Sequence, residues 1–160
     1  MSADMFLKIE GVEGEAVDHK HGKEIDLLAW SWGMSQSGSM HVGGGGGAGK
    51  VAIQDISLTK YVDRSSPNLI NTCCTGKHYP SAIITVRKAG DKPVEYFIIT
   101  MTDVIVTSIS TGGSGGEDRL TENVSLNFAK VKVEYTPQGK DGSAGASVET
   151  AFNIEENTAM

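Results

Sequence analysis

Residues 124 to 135 read Val-Ser-Leu-Asn-Phe-Ala-Lys-Val-Lys-Val-Glu-Tyr. In this stretch the apolar residues stand at even positions as far as Phe128 and at odd positions from Val131 onward. Alternation with a period of two is typical of a strand that buries one face, so a change of parity turns the buried side over. A β-bulge or a barrel corner produces such a change. The stretch therefore predicts a strand that is re-aimed from one sheet to another at Ala129-Lys130.

Alternation of the same kind recurs along most of the chain. It predicts further strands at residues 5–10, 25–32, 51–62, 81–88, 94–102, 104–110 and 148–154, with a turn at Gly90-Asp91. Together with the corner, these strands indicate a mainly β fold in which two packed antiparallel sheets form a β-barrel or sandwich.

One short α-helix, at about residues 66–75, is predicted on the side of the sheets. Ser66 is the candidate N-cap, Pro67 takes the favoured first position and Gly76 ends the helix. Four residues then share one helical face, and we expect both cysteines among them to be core residues. These residues are Leu69, Ile70, Cys73 and Cys74.

The length of 160 residues suits a single domain with one core, which we assign to residues 1–160. Glycine contributes 20 residues, close to double the average of about 7%. The glycines concentrate in a long loop at about residues 33–50 and again at Gly112–Gly116. A less distinctive segment rich in Gly, Ser and Ala occupies about residues 138–147.

Charge and composition narrow the classes of partner. The formal charge is −6, from 20 acidic and 14 basic residues, which argues against nucleic acid and anionic membrane surfaces. The adjacent residues Cys73 and Cys74 cannot form an ordinary disulfide, which fits folding in the cytoplasm. The first residues show no signal-peptide pattern, and no apolar run approaches the roughly 20 residues of a membrane helix. We therefore expect no membrane insertion and a protein partner.

Three motifs with catalytic or ligand-binding potential lack the context that their chemistry needs. Gly44–Lys50 resembles a phosphate-binding loop, but Val51 follows where a Ser or Thr should hold Mg²⁺. Gly112–Gly116 places Ser114 in a G-x-S-x-G pattern, but two acids and then strand-like sequence follow instead of a helix. His19 and His21 have no second pair of metal ligands. We predict no catalytic residues, no cofactor and no metal.

The segment from Ile25 to Trp32 is apolar on both faces. One face carries Ile25, Leu27 and Ala29, and the other carries Leu28, Trp30 and Trp32. Either one face meets another chain or the strand is internal to the core; the pattern leaves both open.

Five stretches together resemble the Hcp (hemolysin-coregulated protein) family of type VI secretion systems. They are residues 4–9 (Asp-Met-Phe-Leu-Lys-Ile), 24–38 (Glu-Ile-Asp-Leu-Leu-Ala-Trp-Ser-Trp-Gly-Met-Ser-Gln-Ser-Gly), the glycine run ending Ala48-Gly49-Lys50, 76–80 (Gly-Lys-His-Tyr-Pro) and 110–123 (Ser-Thr-Gly-Gly-Ser-Gly-Gly-Glu-Asp-Arg-Leu-Thr-Glu-Asn). The resemblance spans residues 4 to about 137 in order.

The resemblance implies a structural subunit rather than an enzyme. It implies homohexameric rings that stack into the inner tube of a contractile injector, with the sheath, the VgrG spike and small effector proteins as partners. It also implies export from the cytoplasm through the type VI system to the extracellular space or a target cell, without a cleaved signal peptide. A secreted effector or adaptor module is the alternative, and a small serine hydrolase using Ser114 is a second one.

Candidate assembly residues follow from the pattern and the resemblance together. For the ring interface they are Leu28, Trp30 and Trp32, and for the lumen they are Ala29 and Ser31, which are small and lie opposite the tryptophans. The glycine-rich loop is the candidate for ring stacking, through Ser35, Ser37, Met40, His41, Gly43, Gly44, Gly45, Gly46, Gly47 and Lys50.

Overall fold

The computed structural model describes residues 3–41, 49–88 and 93–160 and confirms a mainly β fold with one short helix. The helix in these ranges is α1 (Ser66–Thr75). The strands are β1 (Ala3–Ile9), β2 (Ile25–Ser31), β3 (Met34–Gln36), β4 (Val51–Ile53), β5 (Ile56–Tyr61), β6 (His78–Lys88), β7 (Glu95–Gly112), β8 (Thr121–Tyr135), β9 (Val148–Asn153) and β10 (Thr158–Ala159).

Six strands close into an antiparallel barrel in the order β8, β5, β2, β1, β6 and β7, because β7 also pairs with β8. On its other edge β8 pairs with β5 from Thr121 to Leu126 and with β9 from Lys130 to Tyr135. Strands β9 and β10 thus extend one side of the barrel, while β3 and β4 form a separate two-stranded sheet.

The corner predicted at Ala129-Lys130 is confirmed by burial. Phe128 and Val131 are both buried, so the buried side of β8 changes parity between them. The partner on that edge changes at the same place, because Ile154 N donates to Ala129 O and β9 pairing begins at Lys130. The corner is therefore where β8 passes from the barrel to its extension.

The strand boundary that was predicted between residues 102 and 104 is wrong. The sequence predicted separate strands at 94–102 and 104–110, but the structure has one strand that runs through both. Asp103 lies at the predicted break with φ of 55°, a left-handed conformation that is uncommon outside glycine. The buried side changes there from Met101 to Val104. Asp103 thus forms the β7 half of the corner.

The single strand predicted at 51–62 is also corrected, to β4 and β5. The chain turns between them because Gln54 N donates to Gly33 O, which ties this point to the residues just after β2. Asp55 follows and accepts hydrogen bonds from other strands instead of continuing a ladder. Strand β6 begins at His78, earlier than predicted, β10 was not predicted, and the turn at Gly90-Asp91 lies outside the described residues.

The helix is confirmed, but its N-cap is Ser65 rather than Ser66. The hydroxyl of Ser66 is drawn inward to Glu122 and is not available to cap the helix. At the other end Gly76 has φ of 72°, and its N–H donates to Thr72 O as predicted for a glycine C-cap.

The side of α1 that is buried differs from the side that was predicted to be buried. Leu69 and Thr72 are buried and Cys73 is partly buried, whereas Ile70 and Cys74 are exposed. The expectation that Cys74 is a core residue is therefore wrong. The reason is the inward pull of Ser66, which fixes the helix so that positions 66, 69, 72 and 73 face the barrel.

A buried polar network fastens α1 to the barrel. Lys60 on β5 and Glu122 on β8 are both 0% exposed, and Lys60 Nζ lies 2.5 Å from Glu122 Oε2. Lys60 also lies 3.1 Å from Asp63 Oδ1, while Ser66 and Thr111 each donate a hydroxyl hydrogen bond to Glu122. Because every charge has partners, the network satisfies the requirement for burying ions.

Removing one partner of this network should destabilise the fold strongly. We expect Lys60→Met to lower the free energy of unfolding by about 3–5 kcal/mol, because Glu122 would remain buried without its cation. Lys60→Met with Glu122→Leu should recover much of the loss. Urea denaturation measures both. The control is Lys132→Met, which breaks an exposed pair with Glu149 and should leave stability close to that of wild type. A Lys60→Met variant as stable as the control would contradict the assignment.

Candidate assembly surfaces

One outer face of the barrel is built from small uncharged residues on four adjacent strands. Strand pairing places them in two rows across β2, β5, β8 and β7. The rows are Ala29, Thr59, Asn123 and Ser110, and Ser31, Ser57, Ser125 and Ser108. We call these eight residues the polar wall.

The polar wall is exposed while the reverse side of the same strands forms the core. Ser31, Ser57 and Asn123 are exposed, whereas Leu58 and Val124 between them are buried. Within the wall Thr59 Oγ1 donates to Asn123 Oδ1 at 2.9 Å. The wall therefore offers hydroxyl and carboxamide groups to solvent, with neither a charge nor a large apolar side chain in either row.

Charged groups bound the polar wall at its two ends. At one end Asp55 accepts hydrogen bonds from Thr107 at 2.6 Å and from Asn127 at 2.8 Å. At the other end the guanidinium of Arg119 lies 3.7 Å from the centre of the Tyr61 ring. These charged groups have partners of their own, which leaves the rows between them neutral.

The lumen candidates Ala29 and Ser31 both lie on the polar wall and are exposed. Sequence reasoning did not find the other six members. Their alternation with apolar residues was visible in β5 and β8, but only strand pairing shows that the small polar positions of four strands lie side by side.

The two apolar faces of β2 have an explanation within the chain. The register with β5 shifts between Leu27 and Ala29, so Leu28 is the extra residue of a β-bulge. Ile25 and Leu27 point inward before the bulge, and Trp30 packs against the core after it. Of the two alternatives that the sequence left open, packing against the chain's own core thus accounts for the tryptophans.

The ring-interface candidates consequently differ in exposure. The Trp30 ring stacks on Phe97 with centroids 5.8 Å apart, and Trp32 Nε1 donates to Gln54 O at 2.9 Å. Leu28 instead remains 41% exposed. The structure thus leaves Leu28 free to contact another molecule, while the tryptophans are largely engaged within the subunit.

Both lateral edges of the polar wall lack a strand partner among the described residues. On β2, pairing with β1 stops at Asp26, so the edge from Leu28 to Ser31 is unpaired. On β7, pairing with β6 stops at Ile105, and α1 packs beside the rest of the strand. Unpaired backbone N–H and C=O groups at a sheet edge are a template for pairing with another chain.

The glycine-rich loop is partly structured. It begins and ends in the β3–β4 hairpin, where Ser35 pairs with Ala52, which corrects the prediction of a loop over the whole of 33–50. Ser35, Ser37, Met40, His41 and Lys50 are exposed or nearly so. The other stacking candidates, Gly43 to Gly47, lie outside the described residues.

An apolar groove of about 430 Å³ separates this hairpin from the β8–β9 extension. Met34 and Ile53 line it on the hairpin side, and Val131, Val133 and Phe152 line it on the other.

The described residues of the motifs with catalytic or ligand-binding potential are not assembled into active sites, and Gly44 to Ala48 lie outside the described residues. Ser114 Oγ accepts a long hydrogen bond from Gly116 N at 3.4 Å, and strand β8 follows the motif where a nucleophile elbow needs a helix. Lys50 leads into strand β4. His21 contacts two glutamates and His19 is exposed. In the described parts of the chain no three His, Cys, Asp or Glu residues converge as metal ligands.

A family model described as "Type VI secretion system effector, Hcp" matches residues 6–135. A Pseudomonas aeruginosa protein named Hcp1 is 63% identical over 159 residues, covering 98% of both chains. The chain belongs to the Hcp family. Hcp proteins belong to type VI secretion, which exports them, and they are not a known family of enzymes.

Solved Hcp structures share the fold of this Hcp. The crystal structure of Hcp1 from Salmonella typhimurium matches with a TM-score of 0.84 and 40% identity over 100% of both chains. A type six secretion system protein matches with a TM-score of 0.93 and 30% identity over 99% of this chain and 100% of the other. A type VI effector from Yersinia pestis matches with 0.78 and 33% over 94% and 100%.

Within residues 3–41, 49–88 and 93–160 of this Hcp, no helical segment has the length and apolar character of a membrane span.

Proposed function

We propose that this Hcp forms hexameric rings that stack into the inner tube of a type VI secretion system, with the polar wall lining the lumen. The observation that carries the proposal is the wall itself, a neutral exposed sheet face with unpaired edges on β2 and β7. The resemblance to the family supplies the count of six.

The two edges suit a ring because they are different surfaces of one subunit. A contact between unlike surfaces of identical subunits is heterologous, and it closes into a ring when the rotation between neighbours permits. Joining the β2 edge of one subunit to the β7 side of the next would continue the wall around a central opening. Leu28, exposed at the bulge on the β2 edge, would then be covered by the neighbour.

The chemistry of the wall suits transport of varied proteins. A hydrogen bond to a Ser or Asn contributes only about 1 kcal/mol net in water, so one wall holds cargo weakly. Six equivalent walls facing one opening multiply weak contacts through effective concentration. Effectors would therefore be retained inside a ring without any single tight site.

Stacking would use the exposed β3–β4 hairpin and the glycine-rich connection between its strands. The hairpin forms a sheet separate from the barrel strands, and Met40, in the connection after β3, is 82% exposed. The sheath and the VgrG spike would contact the assembled tube.

A secreted effector or adaptor acting as a single subunit is the second candidate, favoured by the word "effector" in the description of the family model. It needs neither closed rings nor a lumen, so the oligomeric state distinguishes the two.

The ring predicts a particle of six 16.9 kDa chains in dilute neutral buffer, by native mass spectrometry and negative-stain images. Leu28→Asp should yield folded monomers, because a charge at the β2 edge would be buried at the contact without a partner. Tyr135→Asp is the matched control, since Tyr135 is similarly exposed, at 47%, but lies on the β8–β9 extension. A wild-type monomer would rule out the ring, and intact Leu28→Asp rings would remove the β2 edge from the contact.

The lumen assignment predicts a separation between assembly and cargo. Ser31→Glu places a charge in each neutral wall, six per ring, so we expect intact rings that retain less co-expressed effector in pull-downs. Ala146→Glu carries the same change on an exposed position away from the wall and should behave as wild type. Undiminished cargo on Ser31→Glu rings would place Ser31 outside the lumen, and dispersed subunits would place it at a subunit contact.

The stacking assignment predicts that deletion of Gly43–Gly47 leaves single rings but abolishes tubes. The shortened connection would no longer reach a neighbouring ring, while both edges of the wall would be untouched. Electron microscopy of concentrated protein measures tube length. If the deletion yields monomers, the loop belongs to the ring contact instead.

A further inference from the structure

The segment between β1 and β2 folds into a short doubled-back loop, which we call the 11–24 segment. Gly14 N donates to Lys23 O at 2.7 Å, Ala16 N donates to Glu24 O at 2.9 Å, and Lys23 N donates to Ala16 O at 2.8 Å. Gly14 is required there, because a Cβ at this position would lie 2.4 Å from Glu24 O. The segment is thus ordered internally, and side-chain contacts hold it to the barrel.

His21 provides one of these contacts, close to the start of β2. The side chain is buried, with the residue only 8% exposed, and its ring stacks on Phe6 of β1 with centroids 4.5 Å apart. Its Nδ1 lies 2.9 Å from Glu24 Oε2 within the segment. Its Nε2 lies 2.6 Å from Glu95 Oε1 at the start of β7. One imidazole therefore bridges Glu24 of the segment and Glu95 of the barrel.

Both contacts can be hydrogen bonds only when the imidazole is charged. A neutral imidazole has one N–H, so with both glutamates ionised it would turn a lone pair toward one carboxylate. Protonation gives a donor to each side and places a positive charge between two negative ones.

The other charged side chains near His21 do not take its place as the hydrogen-bond donor to Glu24 and Glu95. Arg87 of β6 is the other cation near Phe6, with its guanidinium carbon 5.2 Å from the ring centre. Its hydrogen bonds go to Asp18 at 2.6 and 3.0 Å and to Asp4 at 3.0 Å. Those bonds hold the pKa of Asp18 well below its usual range, so Asp18 stays charged and engages Arg87. Asp18 itself belongs to the 11–24 segment, so this ion pair is a second attachment to the barrel, and it does not depend on His21. Glu24 and Glu95 are left to His21.

The balance of forces on His21 favours the charged form. Burial opposes the charge, but the hydrogen bonds to Glu95 and Glu24 outweigh burial and raise the pKa of His21 above the ordinary 6.5. A raised pKa in the folded state means that the stabilisation is fully present below about 6.5 and is lost as pH rises through the folded value. The contact is therefore strongest in mildly acidic solution.

We propose that His21 is a proton-dependent clasp that fastens residues 19–24 of the segment to the start of β7 and loosens them on deprotonation, while Asp18 keeps its ion pair with Arg87. The clasp lies away from the polar wall and goes beyond the proposed role in ring formation. It gives one loop of the subunit a response to pH while the barrel remains closed.

The first test is an NMR titration of the His21 ring in the folded protein and in urea. We expect a higher midpoint in the folded protein, and a lower folded midpoint in Glu95→Gln than in wild type. A folded midpoint at or below the unfolded one overturns the proposal, even if a variant fails to fold.

The second test measures release by limited trypsin digestion. Cleavage after Lys20 and Lys23 is compared with cleavage after Lys140, which is exposed in a different loop and corrects for the protease's own pH dependence. The ratio should rise with pH in wild type, and in His21→Gln it should be high at every pH. A wild-type ratio that does not change with pH, or one that changes equally in His21→Gln, contradicts release by His21.

Discussion

The structure depends on the way β8 divides one of its edges between two partners. One edge of β8 pairs with β7 along the length of the strand. The other edge pairs with β5 as far as Leu126 and with β9 from Lys130 onward. A strand can do this only if its buried side turns over in between, since the side chains of a strand alternate between its two faces. The corner at Ala129-Lys130 meets that need, and the left-handed Asp103 provides the matching change on β7. Barrel closure and the β9 extension both follow from it.

The extent of strand pairing also explains why the polar wall has two unpaired edges. Strands β1 and β6 complete the barrel at one end only, since their pairing stops at Asp26 on β2 and at Ile105 on β7. Beyond those points four strands continue as an open sheet that is apolar on one side and polar on the other. Such a sheet exposes backbone groups that a soluble protein normally protects. In the proposed ring, pairing with neighbouring copies would protect them without adding any element to the fold.

Sequence patterns predicted features that depend on one strand alone. The alternation from Val124 to Tyr135 was sufficient for the corner, and Gly76 for the end of the helix. Features that depend on contacts between two strands, or between a strand and the helix, were either not predicted or predicted wrongly. The bulge at Leu28 made one strand resemble a surface with two apolar faces, because only the register with β5 reveals the extra residue. The helix was predicted one residue out of phase because nothing local shows that Ser66 bonds to Glu122, 56 positions away.

The recognition of the family came from residues spread along the chain, whereas the candidate site came from strand pairing. Ala29 and Ser31 were nominated from β2, yet their neighbours on the wall come from β5, β7 and β8. Short polar residues such as Ser57 and Ser125 carry no motif, and each is ordinary on an exposed strand face. They indicate a functional surface only because strand pairing places them side by side with no charged residue among them.

Two buried clusters of charged side chains have different roles in the subunit. The cluster of Lys60 and Glu122 joins β5, β8 and α1 without a histidine, so no group with an ordinary pKa near neutrality takes part. The cluster around Phe6 contains His21 of the 11–24 segment together with side chains of β1, β6 and β7, and the proposed loosening of residues 19–24 would leave every barrel strand paired. The titrating group holds only a peripheral loop, so a change of pH can act on that loop without opening the barrel.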